Sequence, residues 1–132
     1  MSLSFGWYSS ECISEKELFG FVISIGGTVQ ELSDSLSQCI IERENEVIWI
    51  MDDKYFMSEL EVEDHIELEE WGIFPKSSAT IFVGLNGKRE RSVSLAKWFC
   101  EELLLKYPDT IIMAFDKYYT INTIKNIPYN EK

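Results

Sequence analysis

The sequence predicts an α+β fold, a two-layer domain in which a mostly antiparallel sheet packs against two helices. Three observations carry that expectation. Two segments repeat apolar residues at helical spacing behind capping residues, and several short runs are rich in β-branched and aromatic residues or alternate in polarity. Short polar connections join neighbouring β runs as hairpins rather than as long crossovers.

The first segment, 3–8, sets Leu3, Phe5 and Trp7 at every second position, the pattern of a strand with one buried face. Ser14-Glu15-Lys16-Glu17 then forms a capping box. It opens a helix whose Leu18, Phe21, Val22 and Ile25 share a stripe and whose end is marked by Gly26-Gly27. Segments 38–42 and 46–51, joined by Arg43-Glu44-Asn45, predict a hairpin. Ile48 and Ile50 fall on one face of its second strand and Val47, Trp49 and Met51 on the other, so that strand is expected to be covered on both sides.

Segment 58–70 reads two ways. Leu60, Val62, Ile66 and Leu68 alternate like a strand, while the density of Glu favours a helix. A strand over 79–85 follows Trp71-Gly72-Ile73-Phe74-Pro75, and Asn86-Gly87 with Lys88, Arg89 and Arg91 makes a polar connection. A second helix is expected over 93–107, capped by Ser92, with Leu95, Ala96, Phe99, Cys100, Leu103, Leu104 and Tyr107 on its apolar face. Strands over 110–115 and 118–121, turning at Asp116-Lys117, close the fold.

The chain has 132 residues, 45% hydrophobic and 14% aromatic. One globular domain spanning 1–132 is expected, able to bury its own core without disulfide or metal staples, with a loose tail from about residue 126. Disordered, collagen-like and disulfide-miniprotein classes are excluded. Cys12, Cys39 and Cys100 lack any Cys-x-x-Cys pairing, which predicts reduced thiols packed as small hydrophobes. With no apolar run of membrane-spanning length and no basic, apolar leader at the amino terminus, a cytoplasmic location is expected.

Acidic residues outnumber basic ones 23 to 12, for a net charge of -11. Nucleic acids and anionic membranes are bound through clustered Lys and Arg, so neither is an expected partner, and a neutral or basic one is. Segment 42–70 alone holds 12 acids against Arg43 and Lys54. Such self-repulsion is met either by solvation or by a complementary partner. In the second case Glu59, Glu61, Glu63, Asp64, Glu67, Glu69 and Glu70 form a docking face, with Trp71 as the aromatic centre beside it.

Catalytic and metal chemistry find little support in the spacing. His65, the one histidine, stands among Glu63, Asp64 and Glu67 with no nucleophile elbow in the chain, and reads as a solvated residue. It lies far in sequence from every cysteine, against a zinc site, and the acids lack the glycine and closing glutamate of an EF-hand loop. Gly84-Leu85-Asn86-Gly87-Lys88 fails as a phosphate loop, with Arg89 where Ser or Thr would hold magnesium. No metal or cofactor is implied.

The succession of Glu70-Trp71-Gly72-Ile73-Phe74-Pro75, a strand over 79–85, a basic-capped helix ending at Tyr107-Pro108, Thr110-Ile111-Ile112-Met113-Ala114-Phe115, and a tight turn into Tyr119-Thr120-Ile121 resembles the small immunity proteins of bacterial polymorphic-toxin systems, in particular the swarming-inhibition type. The resemblance covers roughly 70–121 and departs at the last turn, where Asp116-Lys117 replaces the family's glycine. It implies a non-enzymatic inhibitor that binds a cognate toxin in the cytoplasm and blocks its active site. The acidity would then suit a basic toxin such as a nuclease. The alternative from another class is a small hydrolase or carbohydrate-active enzyme that uses the acidic cluster with His65.

Overall fold

A computed structural model describes residues 3–33, 36–53, 62–84 and 88–128. In chain order the elements are β1 (Leu3–Ser9), α1 (Glu15–Ser24), β2 (Thr28–Ser33), β3 (Leu36–Arg43), β4 (Glu46–Asp52), α2 (Val62–Glu70), β5 (Ser77–Val83), α3 (Arg89–Lys106), β6 (Ile111–Ala114) and β7 (Lys117–Tyr119), with a 3-10 turn at Ile124–Asn126. The strands form one seven-stranded sheet in the order β2-β3-β4-β5-β1-β6-β7. Every pairing in it is antiparallel. The fold is therefore α+β, with β1 joining the two halves of the sheet.

Strand alternation decides what lies on each face. Phe5, Trp7, Cys39, Ile41, Ile48, Ile50, Ala79, Ile81, Ile112 and Ala114 point to one face and are buried with Leu18, Phe19 and Val22 of α1 and Val93, Ala96, Phe99 and Leu103 of α3. Trp7 also donates through Nε1 to Thr110 Oγ1 at 2.8 Å, and Thr110 Oγ1 donates to the Tyr107 carbonyl at 2.6 Å, so β1, β6 and the end of α3 are locked together. On the opposite face of β4, Val47, Trp49 and Met51 are half-buried, a thinner cover than the sequence suggested.

The glycine stop of α1 follows its sequence signal, but the expected capping box forms only by half, because the Glu17 carboxylate is taken by a tyrosine of the neighbouring helix end instead of a backbone amide. Ser14 Oγ accepts from the Glu17 amide at 3.1 Å, while the Glu17 carboxylate accepts from the Tyr107 hydroxyl at 2.7 Å and ties α1 to α3. At the other end Gly26 takes φ 108, and the Gly26 and Gly27 amides donate back to the Ile23 and Val22 carbonyls, a Schellman closure.

Several expectations are corrected. Among the described residues there are three α-helices, because the ambiguous acidic segment is helical over Val62–Glu70, while 58–61 lie outside the described residues. A seventh strand, β2, was not foreseen, since all six of its residues are exposed at the sheet edge and leave no alternation to read. α3 begins a turn earlier than expected. Lys88 is its N-cap, and Ser92 is buried inside the helix rather than capping it. The last hairpin turns at Phe115 and Asp116, with φ of 51° and 62°, one residue before the expected position. The Phe115 ring packs edge-on against Phe5 with centroids 5.7 Å apart, which helps hold that left-handed turn without glycine. Of the tail expected to be loose from about residue 126, Ile127 is buried and Lys97 Nζ donates to the Lys125 and Ile127 carbonyls, while 129–132 lie outside the described residues. Cys39 and Cys100 are buried as expected, whereas Cys12 is exposed and packs nothing away. No helix among the described residues is long and apolar enough to cross a membrane.

Candidate binding surface

α2 lies on the face of the sheet away from α1 and α3. Among its described side chains the fully buried apolar one, Leu68, packs with Ile73 and Ile111, and half-buried Tyr8 and Tyr118 close around them. The exit from the helix explains the Trp71-Gly72-Ile73-Phe74-Pro75 motif physically. Gly72 adopts φ 80, its amide donates to the Glu69 carbonyl at 2.9 Å, and the Ile73 amide donates to the Leu68 carbonyl at 2.9 Å. This is again a Schellman closure, and the Leu68–Ile73 contact is the apolar pairing that accompanies it. Phe74 and Lys76 are then fastened to the end of β1, their amides donating to Ser10 Oγ and the Ser9 carbonyl.

The closure leaves three large apolar side chains facing solvent: Ile66 is 52% exposed, Trp71 48% and Phe74 59%. Glu67, Glu69 and Glu70 are exposed beside them and Asp64 is half-buried. Of the sequence-predicted docking residues, α2 and its exit thus bring together Asp64, Glu67, Glu69, Glu70 and Trp71. Glu63 belongs to the same helix, and Glu59 and Glu61 lie outside the described residues.

Under α2 the sheet supplies polar groups. The Tyr118 phenol is held protonated well above its usual range, first by burial and then by the charge of Glu67 and its hydrogen bond with that carboxylate. Tyr8 is shifted the same way by burial, then by the charges of Asp53 and Asp64. Both tyrosines therefore remain hydrogen-bond donors at any physiological pH. Trp71 stands against Tyr118, with ring centroids 6.3 Å apart. Asp53 accepts from Ser78 Oγ at 3.0 Å and from Thr80 Oγ1 at 2.9 Å. Burial nevertheless raises its pKa, outweighing the two hydroxyls that lower it.

Tyr8, Asp53, Ile66, Phe74 and Tyr118 are the members of this surface that charge counting missed. Ile66 was readable only after the helix was settled, because on a strand it would share a face with Leu68 and on a helix it does not. The tyrosines come from β1 and β7 and Asp53 directly follows β4, and only the sheet order brings them together. Among the described residues no group of three His, Cys, Asp or Glu side chains is placed to hold a metal ion. Compared with family models, curated proteins and solved structures, the chain matches none.

Proposed function

We propose that the chain is a non-enzymatic inhibitor of the immunity type, which docks a basic toxin domain onto α2 and its exit and so covers the toxin's active site. One observation supports this reading above a purely solvating role. Ile66, Trp71 and Phe74 stand exposed within a field of carboxylates. A solvating face has no use for three large apolar groups, whereas a desolvated aromatic centre inside a charged rim is the usual composition of an energetic protein interface. The carboxylates would steer a basic partner and the apolar groups would hold it.

The test uses the toxin domain encoded beside this gene in its native host. Association should slow steeply as salt is raised through the screening range. Trp71→Ala should weaken the complex by about 2 kcal/mol or more, mainly through faster dissociation. His65→Ala should leave protection of toxin-exposed cells intact. An association rate indifferent to salt together with a neutral Trp71→Ala would reject the surface, and loss of protection in folded His65→Ala would favour the hydrolase alternative.

A further inference from the structure

At one end of the helix-covered face, the β3–β4 hairpin and α3 flank an open cleft of about 410 Å³. Arg91, Ser94, Leu95 and Trp98 recur at three- and four-residue intervals along α3 and all line it. Arg43, the last residue of β3, reaches across and lays its guanidinium over Trp98, 3.6 Å from the ring centroid. Stacking fixes the plane of the guanidinium and leaves its N–H edges as donors suited to a carboxylate.

Glu46 pairs with Arg43 across the hairpin and opens β4. It shares a side of the strand with Ile48 and Ile50, is only 6% exposed, and lines the same cleft. Among the described residues no hydrogen bond or ion pair holds its carboxylate. Among the described residues Ser92 Oγ is the one buried polar side-chain atom without a hydrogen-bond partner, so the Glu46 oxygens reach the water of the cleft, where with the two guanidiniums they offer both signs of charge to whatever enters.

We infer that this cleft binds a small zwitterion of the α-amino-acid class, its ammonium group meeting Glu46 and its carboxylate held by Arg43 and Arg91. A simple anion would leave Glu46 facing like charge, and a simple amine would be repelled by two guanidiniums. Only a molecule carrying both signs satisfies all three groups. Leu95 lends an apolar wall for the side chain, and Glu44 stands exposed at the rim, where water screens it. The volume is that of a small-metabolite site.

The full chain would be titrated with the common free L-amino acids at millimolar concentration and followed by NMR. Binding should move the Trp98 indole resonance and the amides of Arg43, Glu46, Arg91 and Ser94. Arg91→Ala, at an exposed position, should weaken the best binder about tenfold, the worth of a charge-assisted hydrogen bond, and Glu46→Gln should do the same. The corresponding deaminated acid and decarboxylated amine should fail to bind, and Glu69→Gln on α2 should bind as the native chain does. The inference is overturned if no amino acid moves these resonances, if Arg91→Ala binds unchanged, or if the acid or the amine alone binds as tightly as the amino acid. Should Glu46→Gln not fold, Arg91→Ala decides by itself.

Discussion

On the face of the sheet covered by α1 and α3, side chains from all but the edge strand β2 meet two helices in one continuous buried cluster. On the other face, among the described residues, α2 is held by Leu68, Ile73 and Ile111, with two half-buried tyrosines at the margin. The same strands supply both faces, since successive residues alternate between them, yet one side is closed by apolar packing and the other by a small apolar island ringed with carboxylates and phenols. Stability is concentrated where the contacts are many and dry. The surface of α2 is left to carry exposed apolar groups and unbalanced charge, which a core could not accommodate.

The largest test of this contrast is Phe99→Ala. Phe99 is wholly buried in the centre of α3, so truncation should cost about 3–5 kcal/mol through lost burial and a cavity. Leu105 on the same helix is 64% exposed, and Leu105→Ala should stay within about 0.5 kcal/mol. Denaturant melts with equal midpoints for the two variants would mean that α3 does not face the sheet as described.

A smaller loss is expected on the other face. Leu68→Ala should cost about 2–3 kcal/mol, the lower part of the range for buried leucine, because its cluster is small and close to solvent, where neighbours can collapse into the space. Hydrogen exchange should also release the amides of α2 before those of α3. If both helices exchange together and Leu68→Ala equals Phe99→Ala, the two faces form one cooperative unit and the contrast fails.

The contrast also explains what could be read from the chain alone. α3 was legible because Leu95, Phe99 and Leu103 face a thick core and repeat cleanly, and β1 because Phe5 and Trp7 alternate against the same core. β2 was invisible because an edge strand with six exposed residues imposes no pattern. α2 stayed ambiguous because a helix that buries little needs few apolar residues, and Val62, Ile66 and Leu68 also fit an alternation. Of the binding surface, the charge and Trp71 were legible. Tyr8, Asp53 and Tyr118 were not, since their proximity is a property of strand order rather than of spacing in sequence.

A gain should come from Ser92→Ala. Ser92 is fully buried against the helix-covered face, and its Oγ has no hydrogen-bond partner among the described residues. Alanine removes an unsatisfied hydroxyl and is the better helix former, so the variant should be more stable by about 1 kcal/mol. A loss of stability on chemical denaturation would show that the hydroxyl is satisfied and that this part of the core is not as dry as its burial indicates.

The smallest effect sharpens the contrast on the outer face through pH. Burial raises the pKa of Asp53 in the folded chain above its unfolded value, so the fold favours the protonated carboxyl. The stabilisation that protonation brings is fully present below the unfolded carboxylate range and is lost as pH rises through the folded pKa. Asparagine keeps the shape and an acceptor for Ser78 and Thr80 but does not titrate. The stability of Asp53→Asn relative to the native chain should therefore increase from acid towards neutral pH, whatever constant offset the amide introduces. Other carboxylates titrate in both proteins and largely cancel in that difference, provided that the substitution leaves α2 in place. Thermal melts of the two proteins across this interval measure it directly. A difference that stays flat, or that falls as pH rises, would mean that the hydroxyls of Ser78 and Thr80 outweigh burial and that Asp53 stabilises its face as a carboxylate.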